Sequence, residues 1–108
     1  MRKLYIVKHQ QDFDRIIKLN NSSKSKYFVL YQENNNLKYD CYGISVGKKL
    51  GNAVYRNKMK RRIRNIIDEY RKDYNNKKNY IIILRSKGKE ANFNELKEDL
   101  INLLKKSN

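Results

Sequence analysis

Between Lys48 and Arg64 the sequence carries eight cations and no acid: Lys48, Lys49, Arg56, Lys58, Lys60, Arg61, Arg62 and Arg64. Half of the chain's eight arginines fall in the last nine residues of that window. Asn52 and Asn57 lie among them. Guanidinium groups grip phosphate oxygens two at a time and stack on bases, so this cluster suits a polyanion. Apolar residues run through the same stretch. Met59, Ile63, Ile66, Ile67 and Tyr70 recur at helical spacing and cover about 100° of one helix face. On that helix Arg56, Lys60 and Arg64 form a column along one flank of the stripe. Asn57 and Arg61 form the next column, and Lys58 and Arg62 lie beyond it. Like charges at i, i+4 repel by a few tenths of a kcal/mol per pair, so about three such pairs are a cost that folding alone does not call for. The start of the helix, near Asn52–Arg56 and just after Lys48 and Lys49, adds free backbone N–H groups and a positive dipole end.

What is missing narrows the chemistry further. The chain has one Cys, Cys41, and one His, His9. No internal disulfide and no Cys/His zinc site can be built from them. A Ser-His-Asp system would need His9, which lies in a basic segment ahead of the first helical pattern and reads as a surface residue. No paired carboxylates and no Gly-rich phosphate loop stand out. The whole chain of 108 residues has 26 Lys+Arg against 11 Asp+Glu, a formal charge of +15. Lys, Asn, Ile and Tyr are abundant together, as A/T-rich coding would make them, so the placed arginines say more than the total. The charge asks for nucleic acid. A membrane surface would need an apolar aromatic face opposite the charge, which is not evident. The longest apolar run, Ile81–Leu84, is far short of the roughly 20 residues of a membrane span. Residues 1–8 start basic but have no long apolar region and no cleavage site. We expect no signal peptide, and a cytoplasmic protein.

The elements that must hold the basic helix can be read around it. Length predicts one domain over residues 1–108. Asp12 is placed to cap a helix with Phe13, Ile16 and Ile17 inward, ending near Asn20-Asn21. Ser22–Lys26 reads as a polar connection. Tyr27–Tyr31 reads as a strand, Asn34-Asn35-Asn36 as a turn, and Tyr39–Val46 as an alternating strand. In that strand Tyr42, Ile44 and Val46 face a core, while Cys41, Gly43 and Ser45 present small residues on the other side. Tyr27, Tyr31 and Tyr39 are candidates for stacking on unpaired bases. Tyr80–Leu84 is a buried strand. Asn92 with Glu95 resembles a capping box ahead of a last helix with Phe93, Leu96, Leu100, Leu103 and Leu104 inward. The result is an α+β fold, a single-domain sandwich of helices on a small mixed sheet.

The stretch Ile44–Arg64, with Lys48-Lys49, Gly51-Asn52-Ala53-Val54 and Arg56-Asn57 followed by alternating cations and apolar residues, closely resembles the signature of the bacterial ribonuclease P protein component. Gln11-Asp12-Phe13, Tyr27–Tyr31 and Asn79–Arg85 fit the same family. The resemblance implies an αβββαβα order, with one more strand that Ser22–Lys26 would supply. It also implies a left-handed crossover between the central strands, of the type found in a domain of a small-subunit ribosomal protein. It further implies a non-catalytic subunit that assists removal of the 5′ leader of precursor tRNA. The partners would be the catalytic ribonuclease P RNA and precursor tRNA. Magnesium would be required by the holoenzyme, with no cofactor bound by the protein alone and no small-molecule substrate. By the same resemblance, RNA would be bound by Lys48, Lys49, Asn52, Arg56, Asn57, Lys58, Lys60, Arg61 and Arg64. Phe13, Ile17, Tyr31 and Lys49 would line a cleft for the leader. This chain departs from the pattern at Lys58, where Arg is common, and at Ile17, where an aromatic is common. It departs again at Arg62, where an apolar residue is common, and at Ser86-Lys87, where a Pro is usual. The alternative reading is a structural RNA-binding protein with no role in tRNA processing.

Overall fold

The computed structural model describes residues 2, 5–7 and 9–107. Met1, Lys3, Leu4 and Lys8, part of the segment read for a leader, lie outside them. The elements are α1 (Gln10–Lys18), β1 (Ser22–Lys24), β2 (Phe28–Asn34), β3 (Cys41–Ser45), α2 (Ala53–Arg71), β4 (Lys78–Leu84) and α3 (Phe93–Lys106). Short 3-10 turns span Lys48–Leu50 and Ser86–Glu90. The sheet runs β1-β2-β4-β3. β1 pairs with β2 and β2 with β4 antiparallel, whereas β3 and β4 are parallel neighbours. α2 is therefore the crossover that carries the chain back between two adjacent parallel strands. No described helix is long and apolar enough to cross a membrane.

The αβββαβα order corrects the residue-based reading of Ser22–Lys26 as a connection. Ser22–Lys24 pairs with Tyr31–Val29. Three polar residues are too few to show an alternation, so only the pairing partner reveals the strand. A second correction concerns α1. Asp12 is not its cap. His9 occupies the N-cap with extended backbone and no side-chain bond, and Asp12 sits in the first turn. There it favours the positive helix end and accepts a hydrogen bond from Arg15 Nη1 at 2.6 Å. Arg15 also reaches Glu33 on β2, pinning α1 to the sheet. Glu33 accepts from Asn79 Nδ2 as well, at 2.7 Å. The Arg15 hydrogen bond, chiefly, holds the Glu33 carboxyl below its usual range.

Two apolar clusters fill the two sheet faces. On one face Phe28, Leu30, Tyr42, Tyr80, Ile82 and Leu84 meet the whole predicted α2 stripe and the leucines of α3. Asn92 caps α3 with both halves of the expected box, Glu95 N–H to Asn92 Oδ1 at 2.8 Å and Asn92 N–H to Glu95 Oε1 at 3.0 Å. On the other face Ile16, Val7, Cys41 and Ile81 are buried, with Phe13, Ile17, Tyr31, Tyr39 and Ile83 half-buried around them. The small-residue side of β3 is thus also packed. Gly43 is small because Phe13 lies over it. A Cβ there would sit 2.5 Å from Phe13 Cζ and 2.8 Å from Ile81 Cδ1.

The edge of β3 is covered. Val7 N–H donates to the Tyr42 carbonyl at 2.9 Å, in a parallel bridge at Ile6. The Tyr5 ring meets Tyr39 edge-on and lies under the Arg71 guanidinium, 3.3 Å from carbon to ring centroid. This blunts an edge that would otherwise invite strand addition. At the far end of the sheet, buried Asp40 accepts the backbone N–H groups of Asn76 and Lys78.

Candidate nucleic-acid interface

The basic helix starts from a tight local arrangement. Asn52 Oδ1 accepts the Tyr55 N–H at 2.9 Å, so this residue, expected to contact RNA, works as the N-cap. The Tyr55 ring lies over Gly51, where a Cβ would fall 2.5 Å from Tyr55 Cδ2. The cap and this close approach fix the angle at which the Lys48–Leu50 turn feeds α2. Lys48, Lys49, Asn57, Lys58, Arg61 and Arg64 are exposed, and Arg56, Lys60 and Arg62 are half-buried. Val54 stands 77% exposed among them, an apolar side chain on a charged surface. The ion pairs among the described residues join Arg15 to Asp12 and Glu33, and Lys97 to Glu69. None takes a cation from the window Lys48–Arg64. Arg56 is partly sunk, and its Nε is out of solvent with no hydrogen-bond partner.

The two flanks of α2 look toward different neighbours. Lys60 and Arg64 turn toward α1 and form the wall of a pocket of about 150 Å³ with Ile6, Val7, Phe13, Tyr42 and Ile44. Tyr42 is buried, burial pushes its phenol up, and the groups that act on its hydroxyl are Asp40, Tyr80, Tyr70 and Arg71, not Lys60 or Arg64. The pocket joins an apolar floor to two cations, which suits a ligand with a flat ring and an anionic backbone. On the opposite flank Glu69 pairs with Lys97 of α3 at 2.8 Å.

Of the residues expected in a cleft, Phe13 lines this pocket. Ile17 and Tyr31 lie in the same apolar cluster under α1, half-buried. Lys49 stands apart, exposed on the Lys48–Leu50 turn. Lys60 and Arg64, expected only as RNA contacts, also bring charge to the pocket. Ile44 supplies part of its wall. The i, i+4 spacing of Lys60 and Arg64 beside the buried stripe was the available signal for this. Tyr27 is not a stacking platform. It is buried, precedes β2, and its hydroxyl donates to Glu95 at 3.3 Å. Tyr39 meets Tyr5 edge-on. His9 is exposed, and buried Cys41 packs under α1. Among the described residues no three His, Cys, Asp or Glu side chains converge to hold a metal ion.

The family model for ribonuclease P matches residues 1–108. The ribonuclease P protein component of Lactococcus lactis subsp. lactis is 41% identical over 107 residues, covering 99% of this chain and 91% of that one. Its counterpart from Streptococcus equi subsp. equi is 40% identical over 105 residues, covering 97% and 87%. Among solved structures, the RNase P protein of Staphylococcus aureus superposes with a TM-score of 0.88 at 38% identity, covering 95% of this chain and 94% of that one. The RNase P protein of Thermotoga maritima gives 0.86 at 32% identity, covering 93% and 94%.

Proposed function

This chain belongs to the ribonuclease P protein family, the protein component of the endoribonuclease that processes tRNA 5′ ends, and from that premise we propose how its surface is used. The α2 surface docks the catalytic RNA of the enzyme, through Lys48, Lys49, Arg56, Asn57, Lys58, Lys60, Arg61 and Arg64. Asn52 serves that surface by capping the helix that presents it. The pocket between α1 and α2, with Phe13 on its floor and Ile17 and Tyr31 beside it, holds the single-stranded 5′ leader of precursor tRNA. Lys49 meets RNA at the turn ahead of the helix.

The observation that carries this reading is a surface whose cations, Lys48 to Arg64, form no ion pair with a carboxylate among the described residues. Arg56 Nε is a polar atom out of solvent with no partner among the described residues, and an RNA oxygen beside this half-buried side chain would satisfy it. A cationic protein lying along folded RNA screens phosphates that repel one another, and so lowers the divalent concentration the fold requires. It also favours precursor over product, because only the precursor has a leader. In this reading magnesium in the holoenzyme is held by the RNA. The described residues offer no cluster of three His, Cys, Asp or Glu side chains for it. Family membership decides against a purely structural RNA-binding protein.

The test is the salt dependence of assembly with the catalytic RNA. Each neutralised phosphate contributes about 0.7–0.9 to the slope of log affinity against log salt. Several of the site cations acting together predict a slope of about −4 to −6. Changing the leader sequence while keeping its length should shift precursor affinity little. A flat salt plot contradicts the reading.

A further inference from the structure

The flank of α2 away from the α1 pocket carries a second group of cations. Tyr55 donates its hydroxyl to the Lys89 carbonyl at 3.3 Å, which ties the first turn of α2 to the Ser86–Glu90 turn. Arg62 follows Tyr55 by seven residues on α2, about two helical turns, and so lies along the same flank. The turn itself is firmly seated. Gly88 is buried against Leu84 and Tyr27, and Arg85 donates Nη1 to the Ser25 carbonyl at 2.6 Å. Lys87 and Lys89 are exposed on it. Two of these cations, Arg62 and Lys87, stand where this chain departs from the family pattern.

We propose that Arg62, Lys87 and Lys89 form a second phosphate-docking strip, latched to α2 by Tyr55, that grips the folded catalytic RNA and not the leader. The inference rests on the docking role given to α2 above. Its physical basis is placement. Lysines on a seated turn lose side-chain freedom but little backbone freedom on meeting a phosphate, whereas lysines on a mobile tail would lose both. The strip is on the opposite side of α2 from Phe13, so a leader held there would not reach it. Holding α2 from both flanks would fix how the helix is rotated against the RNA.

The experiment uses the complex reconstituted with the catalytic RNA and compares two triple variants of equal charge change. Arg62→Gln with Lys87→Gln and Lys89→Gln should lower the magnitude of the salt slope by about 2–3. It should weaken assembly about tenfold or more at moderate salt, with the ratio of precursor to mature tRNA affinity unchanged. Lys72→Gln with Lys105→Gln and Lys106→Gln should leave the slope within about 1 of the parent. Should the first triple fold poorly, the surface pair Lys87→Gln with Lys89→Gln alone should lower the slope by about 1–2. Equal losses in both triples would mean a diffuse field and overturn the proposal. So would an unchanged slope in the first triple, or a loss confined to precursor. If alanine at Arg56 and Arg61 also leaves binding intact, the docking role of α2 itself is refuted. If that pair loses binding and the strip does not, only the strip is refuted.

Discussion

Alanine at both Arg56 and Arg61 is expected to weaken assembly with the catalytic RNA by about a hundredfold or more, without loss of protein stability. Hydrogen bonds to charged groups are worth roughly 1.5–3 kcal/mol each, so two arginines together account for two decades or more in affinity. Stability should hold because neither residue belongs to the buried stripe formed by Met59, Ile63, Ile66, Ile67 and Tyr70. Alanine is the better helix former, and removing Arg56 relieves its i, i+4 repulsion with Lys60. The two effects therefore run in opposite directions. Titration of the RNA and thermal unfolding of the free protein, done on the same variant, separate them. Binding at the parent level would refute the assignment of the site. Lost binding accompanied by an early melt would show that these arginines serve the fold.

Asp40→Ala should give the largest loss of stability at any polar position, about 3 kcal/mol or more in urea unfolding. Asp40 is 2% exposed and accepts the backbone N–H of Lys78 at 2.7 Å and of Asn76 at 3.1 and 3.2 Å. Alanine leaves those donors without a partner, at about 1–3 kcal/mol for each buried group. The loop they hold joins the end of α2 to the start of β4, with Lys77 at φ 55 between them. The crossover helix is anchored there on its outgoing side. A domain of this size has about 5–15 kcal/mol in all, so the change takes a large part of it. Glu98, exposed on the outer side of α3, is the control, and its replacement by alanine should shift stability by less than about 0.5 kcal/mol. An Asp40→Ala loss no larger than the Glu98 one would mean that water satisfies the loop.

Long elements with strong periodicity were legible from residue types alone. The α2 stripe, the Asn92–Glu95 box and the strand at Tyr80–Leu84 all stand as read, because each repeats its signal over several turns or places it at a fixed offset. β1 was not legible by pattern, since Ser22–Lys24 has no apolar residue and exists by pairing with β2. At the start of α1 Asp12 has the right chemistry for a cap, but the chain turns at His9 and uses Asp12 for Arg15. The charge density of the site was plain in sequence. Its division between two flanks was not, because the neighbours of Lys60, Arg64 and Tyr55 come from distant segments: Phe13 and Ile44 on one side, the Ser86–Glu90 turn on the other. Arg62 is half-buried about two helical turns after Tyr55, on the same flank. A helical wheel shows which cations leave the stripe, and only the fold shows what each of them faces.

The division of labour between protein and RNA is the central question for this enzyme. Cleavage of precursor tRNA at low magnesium is the direct measurement, made with the catalytic RNA alone, with this protein alone, and with both. The account predicts mature 5′ ends only when both are present, and none from the protein by itself. Cleavage by the isolated protein, or an RNA rate that the protein leaves unchanged at low magnesium, would contradict it.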